Sequence, residues 1–275
     1  MKNEVYHNIF IFNSQLMEKN AIDSMNYSDG IVVYEVIRVI DGIPLFLEDH
    51  LMRLHYSANL AGFNIGITDS EINNSIKQLS IENQTFNGTV KLLFQYKGNQ
   101  QLVFLCFYIK HNYPSDLQYK NGVKVILHTA ERINPNAKLI HNELYETTED
   151  IIAKKMVYEV LLVNKAGLIT EGSKSNVFFI KENKLITAPT KLVLPGITRK
   201  FVLKIAQLSD IDVIEEAVHQ NDIEKYDAAF LSGTSPKILP ISSIGNVKYS
   251  VDHPLMGKLL KDYDEEIDNY IYRFT

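Results

Sequence analysis

The stretch from Leu161 to Pro189, LLVNKAGLITEGSKSNVFFIKENKLITAP, decides how the second half of this chain is read. With the two residues before it, it holds four short apolar runs, EVLLVN, LIT, NVFFIK and KLITA, separated by turn-forming residues. Runs of that length and spacing predict a meandering antiparallel sheet or barrel rather than strictly alternating βαβ units. Further on, a helix is predicted after Pro195-Gly196, then a last strand, DAAFLSG, a loop and a charged C-terminal helix. Before it come a strand over Val123–Thr129, an irregular ERINPNAK and a helix through Glu149 to Val157.

The first third reads as α/β. Leu51, Leu54, Ala58 and Ala61 recur at helical spacing from Leu47, with Gly62 as the stop. Thr68 and Glu71 have the spacing of a capping box, and Ile72, Ile76 and Leu79 follow on one face. A strand over Ile31–Ile40 ends at an Asp41-Gly42 turn. Thr89–Tyr96 and Gln101–Ile109 form a hairpin around Lys-Gly-Asn. The polar HNYPSDLQYKNG, His111 to Gly122, marks the domain boundary. The expected fold is therefore α/β of the α+β kind: a smaller N-terminal domain over 1–112, a linker over 113–122, and a larger C-terminal, barrel-like domain over 123–275.

Composition sets the outer bounds. The chain has 275 residues, 45% of them apolar, and its 28 Lys+Arg against 33 Asp+Glu give a formal charge of −5. A mildly acidic chain with no long basic run argues against nucleic acid as the partner. The single Cys106 lies in LVFLCFYI and excludes an intrachain disulfide and a Cys-rich zinc site. No apolar run is long enough for a bilayer, and MKNEVYHNIF lacks signal-peptide character, so no membrane partner and a cytoplasmic location are expected. There is no GxxxxGK[ST], HExxH, GxSxG or strand-then-GxGxxG motif. His50 and His55 fall on different helix faces, so no metal site is expected.

What remains suits an anion. LPGITRKFVLKIA places Gly196, Ile197 and Thr198 at a helix start, where backbone N–H groups and the dipole favour a phosphate. Ser232-Gly233-Thr234-Ser235-Pro236 offers further hydroxyl and N–H donors. Taken alone, neither is specific, and a Gly-Thr at a helix start reads as a cap.

The ordered set GIPLFLEDHLMRLHYSA, LLVNKAGLITEGSKSNVFFIKENKLITAP, LPGITR and FLSGTSPKILPI resembles the fold-type IV pyridoxal-phosphate enzymes. These comprise branched-chain aminotransferases, D-amino-acid aminotransferases and aminodeoxychorismate lyases. The resemblance runs over essentially the whole chain. It implies pyridoxal 5'-phosphate as cofactor, with Lys138 of PNAKLIHNE as the Schiff-base lysine and Glu171 of TEGSKSN facing the pyridine nitrogen. It further implies Arg53 of HLMRL on the phosphate, with Ile197, Thr198 and Thr234 completing the cradle. Without it, Lys138 would read as an exposed loop lysine and Arg53 as an exposed helix arginine. In this family the active site lies between two domains near a dimer interface, so the resemblance implies a homodimer.

The chain departs from the family in two places. Glu143 stands where a tyrosine commonly follows the asparagine, with Tyr145 two places on. The usual Gly-Asp-Gly before the substrate strand is Ser28-Asp29-Gly30. On the strand 31–40, Tyr34, Val36 and Arg38 share one face and Glu35 and Ile37 the other. Tyr34 and Arg38 are therefore substrate candidates, the alternative being an edge-strand pair in solvent. The arginine-x-histidine pair typical of D-amino-acid aminotransferases is missing from QYKGNQQ. The expected activity is amino transfer between a branched-chain-like amino acid and a 2-keto acid. An aminodeoxychorismate lyase making 4-aminobenzoate and a non-catalytic relative are the alternatives.

Overall fold

The computed structural model describes residues 4–24, 30–97, 102–110 and 113–274. These form two compact units, one of 1–112 with 137–140 and 267–275, the other of 113–136 with 141–266.

The first unit contains β1 (Ile9–Phe12), β2 (Gln15–Glu18), β3 (Ile31–Ile40), β4 (Ile43–Pro44), α1 (Leu47–Leu60), α2 (Asp69–Glu82), β5 (Gly88–Tyr96) and β6 (Leu102–Ile109). The strands make one sheet in the order β2-β1-β6-β5-β3-β4, antiparallel throughout. On one face, Val33, Ile37 and Val39 pack with Leu51, Leu54 and Ala58 of α1 and Ile72, Ile76 and Leu79 of α2. On the other, Phe10, Leu93, Leu105 and Phe107 join Val5 and Ile22. Cys106 is a buried free thiol in the helix-side core. The 89–96 and 101–109 runs pair as a hairpin, whose tip at 98–101 lies outside the described residues, as do Ser28, Asp29, His111 and Asn112.

The capping box at α2 is complete, with the Thr68 hydroxyl accepting the Glu71 N–H and the Glu71 carboxylate accepting the Thr68 N–H. Thr68→Ala is expected to cost about 1 kcal/mol, read as a lower urea midpoint at unchanged slope. An unshifted midpoint would mean that packing alone holds the helix start.

The second unit contains α3 (Asp116–Asn121), β7 (Val123–Thr129), α4 (Asn142–Lys155), β8 (Glu159–Val163), β9 (Ile169–Gly172), β10 (Asn176–Lys181), β11 (Lys184–Thr187), α5 (Ile197–Leu208), β12 (Val213–Glu215), β13 (Ala228–Gly233), β14 (Lys237–Ile244), β15 (Val247–Lys248) and most of α6 (Pro254–Tyr272). Its sheet runs β12-β11-β10-β13-β14-β7-β8-β9, with β15 on β14, and it curls so that β9 also lies against β10. Val125, Leu161, Val177, Phe179, Ala229, Leu231, Leu239 and Ile241 fill the inside.

Several expectations need correction. The sheet is mixed: β7 is parallel to both β8 and β14 and β11 is parallel to β12, and β8 runs parallel to β7 because the segment between them carries α4 and returns the chain to the same end. The stretch 113–122 carries a short helix, for Ser115 and Gln118 form a capping box that starts α3. DAAFLSG is not the last strand, since β14 continues through Pro240. Helix α4 begins at Asn142 rather than Glu149. The C-terminal domain does not keep all of 123–275. Residues 137–140 pair with β3 (Tyr34 N–H to Lys138 O, 3.1 Å; Ile140 N–H to Val32 O, 3.1 Å), which groups Lys138 with the first unit. From Ile267 the last helix is also part of that unit, where the Tyr270 hydroxyl accepts the Leu47 N–H at the start of α1 and donates to Glu48.

Candidate active site

In the first unit, α1 turns His50, Arg53 and Ser57 toward β3, and all three are buried. The alternation of β3 buries Val33, Glu35, Ile37 and Val39 and leaves Tyr34, Val36 and Arg38 half-buried on the opposite side. Glu35 is 0% exposed in an otherwise apolar stripe. Its Oε1 accepts Arg53 Nε–H and its Oε2 accepts Arg53 Nη2–H and bonds His50 Nδ1, each at 2.7 Å. Burial alone would raise the Glu35 carboxyl, but the Arg53 charge and the Arg53 and His50 hydrogen bonds outweigh it and hold it far below the usual carboxylate range. Burial lowers His50, the Arg53 and Lys138 charges add to that, and the pull of Glu35 does not reverse it. His50 is therefore neutral at pH 7 and, facing an acceptor-only carboxylate, carries its proton on Nδ1.

The same helix anchors Lys138, whose backbone N–H donates to Ser57 Oγ at 3.0 Å, one turn beyond Arg53. Lys138 Nζ stands 4.7 Å from the centre of the Tyr34 ring. Lys91, which the sequence reading did not single out, brings its Nζ within 5.4 Å of that ring and pairs with Glu4 at 2.9 Å. Arg53, Lys138 and Tyr34 are thus held by one helix and one strand, with Arg38 on the Tyr34 side of that strand.

In the second unit, Glu171 is the last residue but one of β9 and is 3% exposed. Its Oε1 accepts Arg132 Nε–H at 2.9 Å; its Oε2 accepts the Leu194 N–H at 3.0 Å and, at 3.5 Å, the Asn176 amide. Arg132 also donates to the Ser173 carbonyl. Asn176 donates to the Leu194 carbonyl at 2.9 Å, and a Cβ on Gly196 would stand 2.2 Å from its Oδ1, so only glycine permits this approach at the start of α5. Ile197 and Thr198 are buried in the first turn of α5, which opens without a side-chain cap. The Thr198 hydroxyl bonds Tyr263 OH at 3.2 Å. Thr234 lies half-buried in the turn between β13 and β14. Of the departures noted above, Glu143 and Tyr145 are exposed, and the Tyr145 ring lies 5.4 Å from Lys174 Nζ.

The turn carrying Glu171 is tied down by Glu159, also missed from sequence. Its Oε1 accepts the Lys174 N–H at 2.7 Å and the Ser175 hydroxyl at 3.0 Å, packed so close to Gly172 that a Cβ there would stand 2.3 Å away. Burial raises the Glu159 carboxyl, and these hydrogen bonds offset it only in part. The folded state then holds this proton more tightly than the unfolded one, so the contribution is present at low pH and is lost as pH rises through the ordinary carboxylate range toward the folded value. Glu159→Gln keeps an oxygen for both donors. It is expected to be more stable than the parent at about pH 7 and to converge with it near pH 4, by urea titration. A constant difference across that range would refute the assignment.

The residues expected on the cofactor thus fall into two sets, Arg53 and Lys138 in the first unit and Glu171, Ile197, Thr198 and Thr234 in the second. Among the described residues, no group of His, Cys, Asp and Glu could hold a metal ion, and no helix is long and apolar enough to cross a membrane.

The sequence signature of the amino-transferase class IV family matches residues 32–244. The chain belongs to this family. This class IV chain is 29% identical to the D-alanine aminotransferase of Bacillus licheniformis, over 96% of its own length and 98% of the relative's. In fold it matches the branched-chain amino acid aminotransferase of Thermobaculum terrenum in its pyridoxal-phosphate form, with a TM-score of 0.80, 22% identity and 100% and 97% coverage. It also matches a putative 4-amino-4-deoxychorismate lyase of Legionella pneumophila, with a TM-score of 0.74, 25% identity and 88% and 97% coverage. The two-domain α/β fold of class IV accounts for both units, including the curled sheet of the second.

Proposed function

We propose that this class IV chain is a pyridoxal-phosphate-dependent aminotransferase that moves an amino group between a branched-chain-like amino acid and a 2-keto acid. The donor set supports the cofactor. A lysine, an arginine beside a helix-borne serine, a buried carboxylate and an uncapped helix start are the groups that an aldehyde, a phosphate and a pyridine nitrogen require. The observation that carries the reading is Glu171, whose carboxylate is held by Arg132, Leu194 and Asn176 in a site where an unused charge would be costly. Ser232 adds a buried Oγ that lacks a hydrogen-bond partner among the described residues, on the strand position opposite Asn176.

When bound, pyridoxal phosphate supplies an electron sink for the bond broken at the substrate Cα. In this proposal Lys138 would hold the cofactor through Nζ, and the same nitrogen, once free, would take a proton from the substrate Cα as general base and deliver it as general acid to the cofactor's C4′, the carbon that keeps the amino nitrogen when the keto acid leaves. Arg53, Ile197, Thr198 and Thr234 bind the phosphate, and Glu171 keeps a proton on the ring nitrogen. Tyr34 gives an apolar wall for the substrate side chain and Arg38 a cation for its carboxylate. The D-alanine relative makes D-amino acids the competing substrates, but the QYKGNQQ stretch has no arginine-x-histidine pair, which favours branched-chain donors. The lyase reading draws on the same residues.

The test is a spectrum followed by a donor screen on the purified protein. A band at about 410–430 nm is expected on adding pyridoxal phosphate. Leucine or valine is expected to bleach it, with turnover only when a 2-keto acid is supplied. Pyruvate released from aminodeoxychorismate without an acceptor would establish the lyase instead, and preferential turnover of D-alanine the D-specific activity. A protein that stays colourless would overturn the cofactor assignment. The same reading proposes a homodimer, to be checked by sedimentation.

A further inference from the structure

We infer that Glu35 is the positioning residue for Arg53, fixing the plane and direction of its guanidinium from within the fold. This rests on the reading of Arg53 as a phosphate residue. Glu35 occupies the core-facing register of β3, between Val33 and Ile37, which are 0% exposed. For packing alone the position calls for an apolar residue, because a buried ion pair is commonly no more stable than a well-packed hydrophobic replacement. A carboxylate is kept here against that cost, and its geometry says why. Arg53 approaches side-on, Nε–H to one oxygen and Nη2–H to the other, both at 2.7 Å, a fork that permits one orientation of the guanidinium. His50, one turn before Arg53 on the same buried helix face, bonds Oε2 at 2.7 Å and holds the carboxylate against rotation.

The group has a particular electrostatic character. Glu35 cancels the charge of Arg53, and His50 is neutral, so the cluster as a whole is close to uncharged. Arg53 therefore recognises a phosphate by the direction of its N–H groups more than by surplus charge. A side chain of this length, released from the fork, has several rotamers to lose on binding. Glu35 and His50 remove that loss by having it met in folding, and this is what distinguishes their role from simple core stability.

The experiment compares the parent protein and Glu35→Gln, both stripped of cofactor, in binding pyridoxal phosphate and pyridoxal, which lacks the phosphate. Glutamine keeps the size but offers an N–H to one of the three donors. Glu35→Gln is expected to weaken pyridoxal phosphate roughly 10- to 100-fold and pyridoxal by less than about 3-fold. Equal weakening of both, or of neither, would overturn the assignment while leaving the cofactor reading intact. A parent protein that binds neither compound would overturn that reading and this inference with it. A second measurement needs no altered core. In the cofactor-free parent protein the Arg53 Nε–H NMR signal, identified by its loss in Arg53→Lys, is expected to be sharp and slow to exchange with solvent. A broad, rapidly exchanging signal would sink the proposal even if Glu35→Gln failed to fold.

Discussion

Lys138→Ala is expected to lose turnover by roughly 10³-fold or more, together with the visible band that pyridoxal phosphate gives the parent protein. The fold should survive, because the segment is held by its backbone. The Lys138 N–H donates to Ser57, its carbonyl accepts from Tyr34, and Ile140 bonds Val32, none of which needs the side chain. What is lost structurally is the ammonium over the Tyr34 ring, worth about 0.5–1 kcal/mol at such a site. A melting temperature within a few degrees of the parent, with no covalent adduct by mass spectrometry after borohydride reduction, would complete the expected result. Lys91 is the control. It stands against the same ring at 5.4 Å and is tied to Glu4, so an undiminished adduct in Lys138→Ala that vanishes in Lys91→Ala would move the role to Lys91.

The parts of this fold that the sequence made legible are those written in local periodicity. The 3.6-residue recurrence over Leu47–Leu60, the Thr68–Glu71 box and the alternation of 31–40 all describe neighbours in the chain, and each element formed where those signals lie. Helix α4 shows the opposite case. His141 gives it no side-chain cap and Thr148 is its one buried residue, so neither a cap nor an apolar face announces its start at Asn142. The pairing of 137–140 with β3 was illegible for a different reason, since a register between segments a hundred residues apart leaves no local trace. Other misses were readable. Ser115 and Gln118 have the spacing of a capping box, and Glu35 breaks the alternation of Val33, Ile37 and Val39 in plain view. A lone carboxylate on the core face of a strand marks a buried ion pair, and its partners had to lie on the helix packed against that face. Arg132, Lys91 and Glu159 carried no such mark. Their importance comes from what the fold sets against them.

Glu171→Gln is expected to reduce turnover roughly 100-fold or more and also to destabilise the fold, and the two effects can be separated. The site around Glu171 is built entirely of donors: Arg132 Nε–H on one oxygen, the Leu194 N–H and the Asn176 amide on the other. A glutamine supplies one oxygen and one NH2. Whichever way it is turned, its NH2 faces a donor, and Arg132 is left half-buried without its counter-ion. Leaving one member of such a pair uncompensated costs on the order of 3–5 kcal/mol, read as a large drop in the urea midpoint. Removing both charges together, as in Glu171→Gln with Arg132→Met, should recover part of that stability, because the unpaired cation is gone. The recovered protein is the informative one. If Glu171 acts on the ring nitrogen of the cofactor, the double variant stays slow however stable it becomes, since no carboxylate remains to hold that proton. If turnover returned with stability, Glu171 would be a structural partner of Arg132 alone, and the carboxylate facing the pyridine nitrogen would have to be sought elsewhere in the chain.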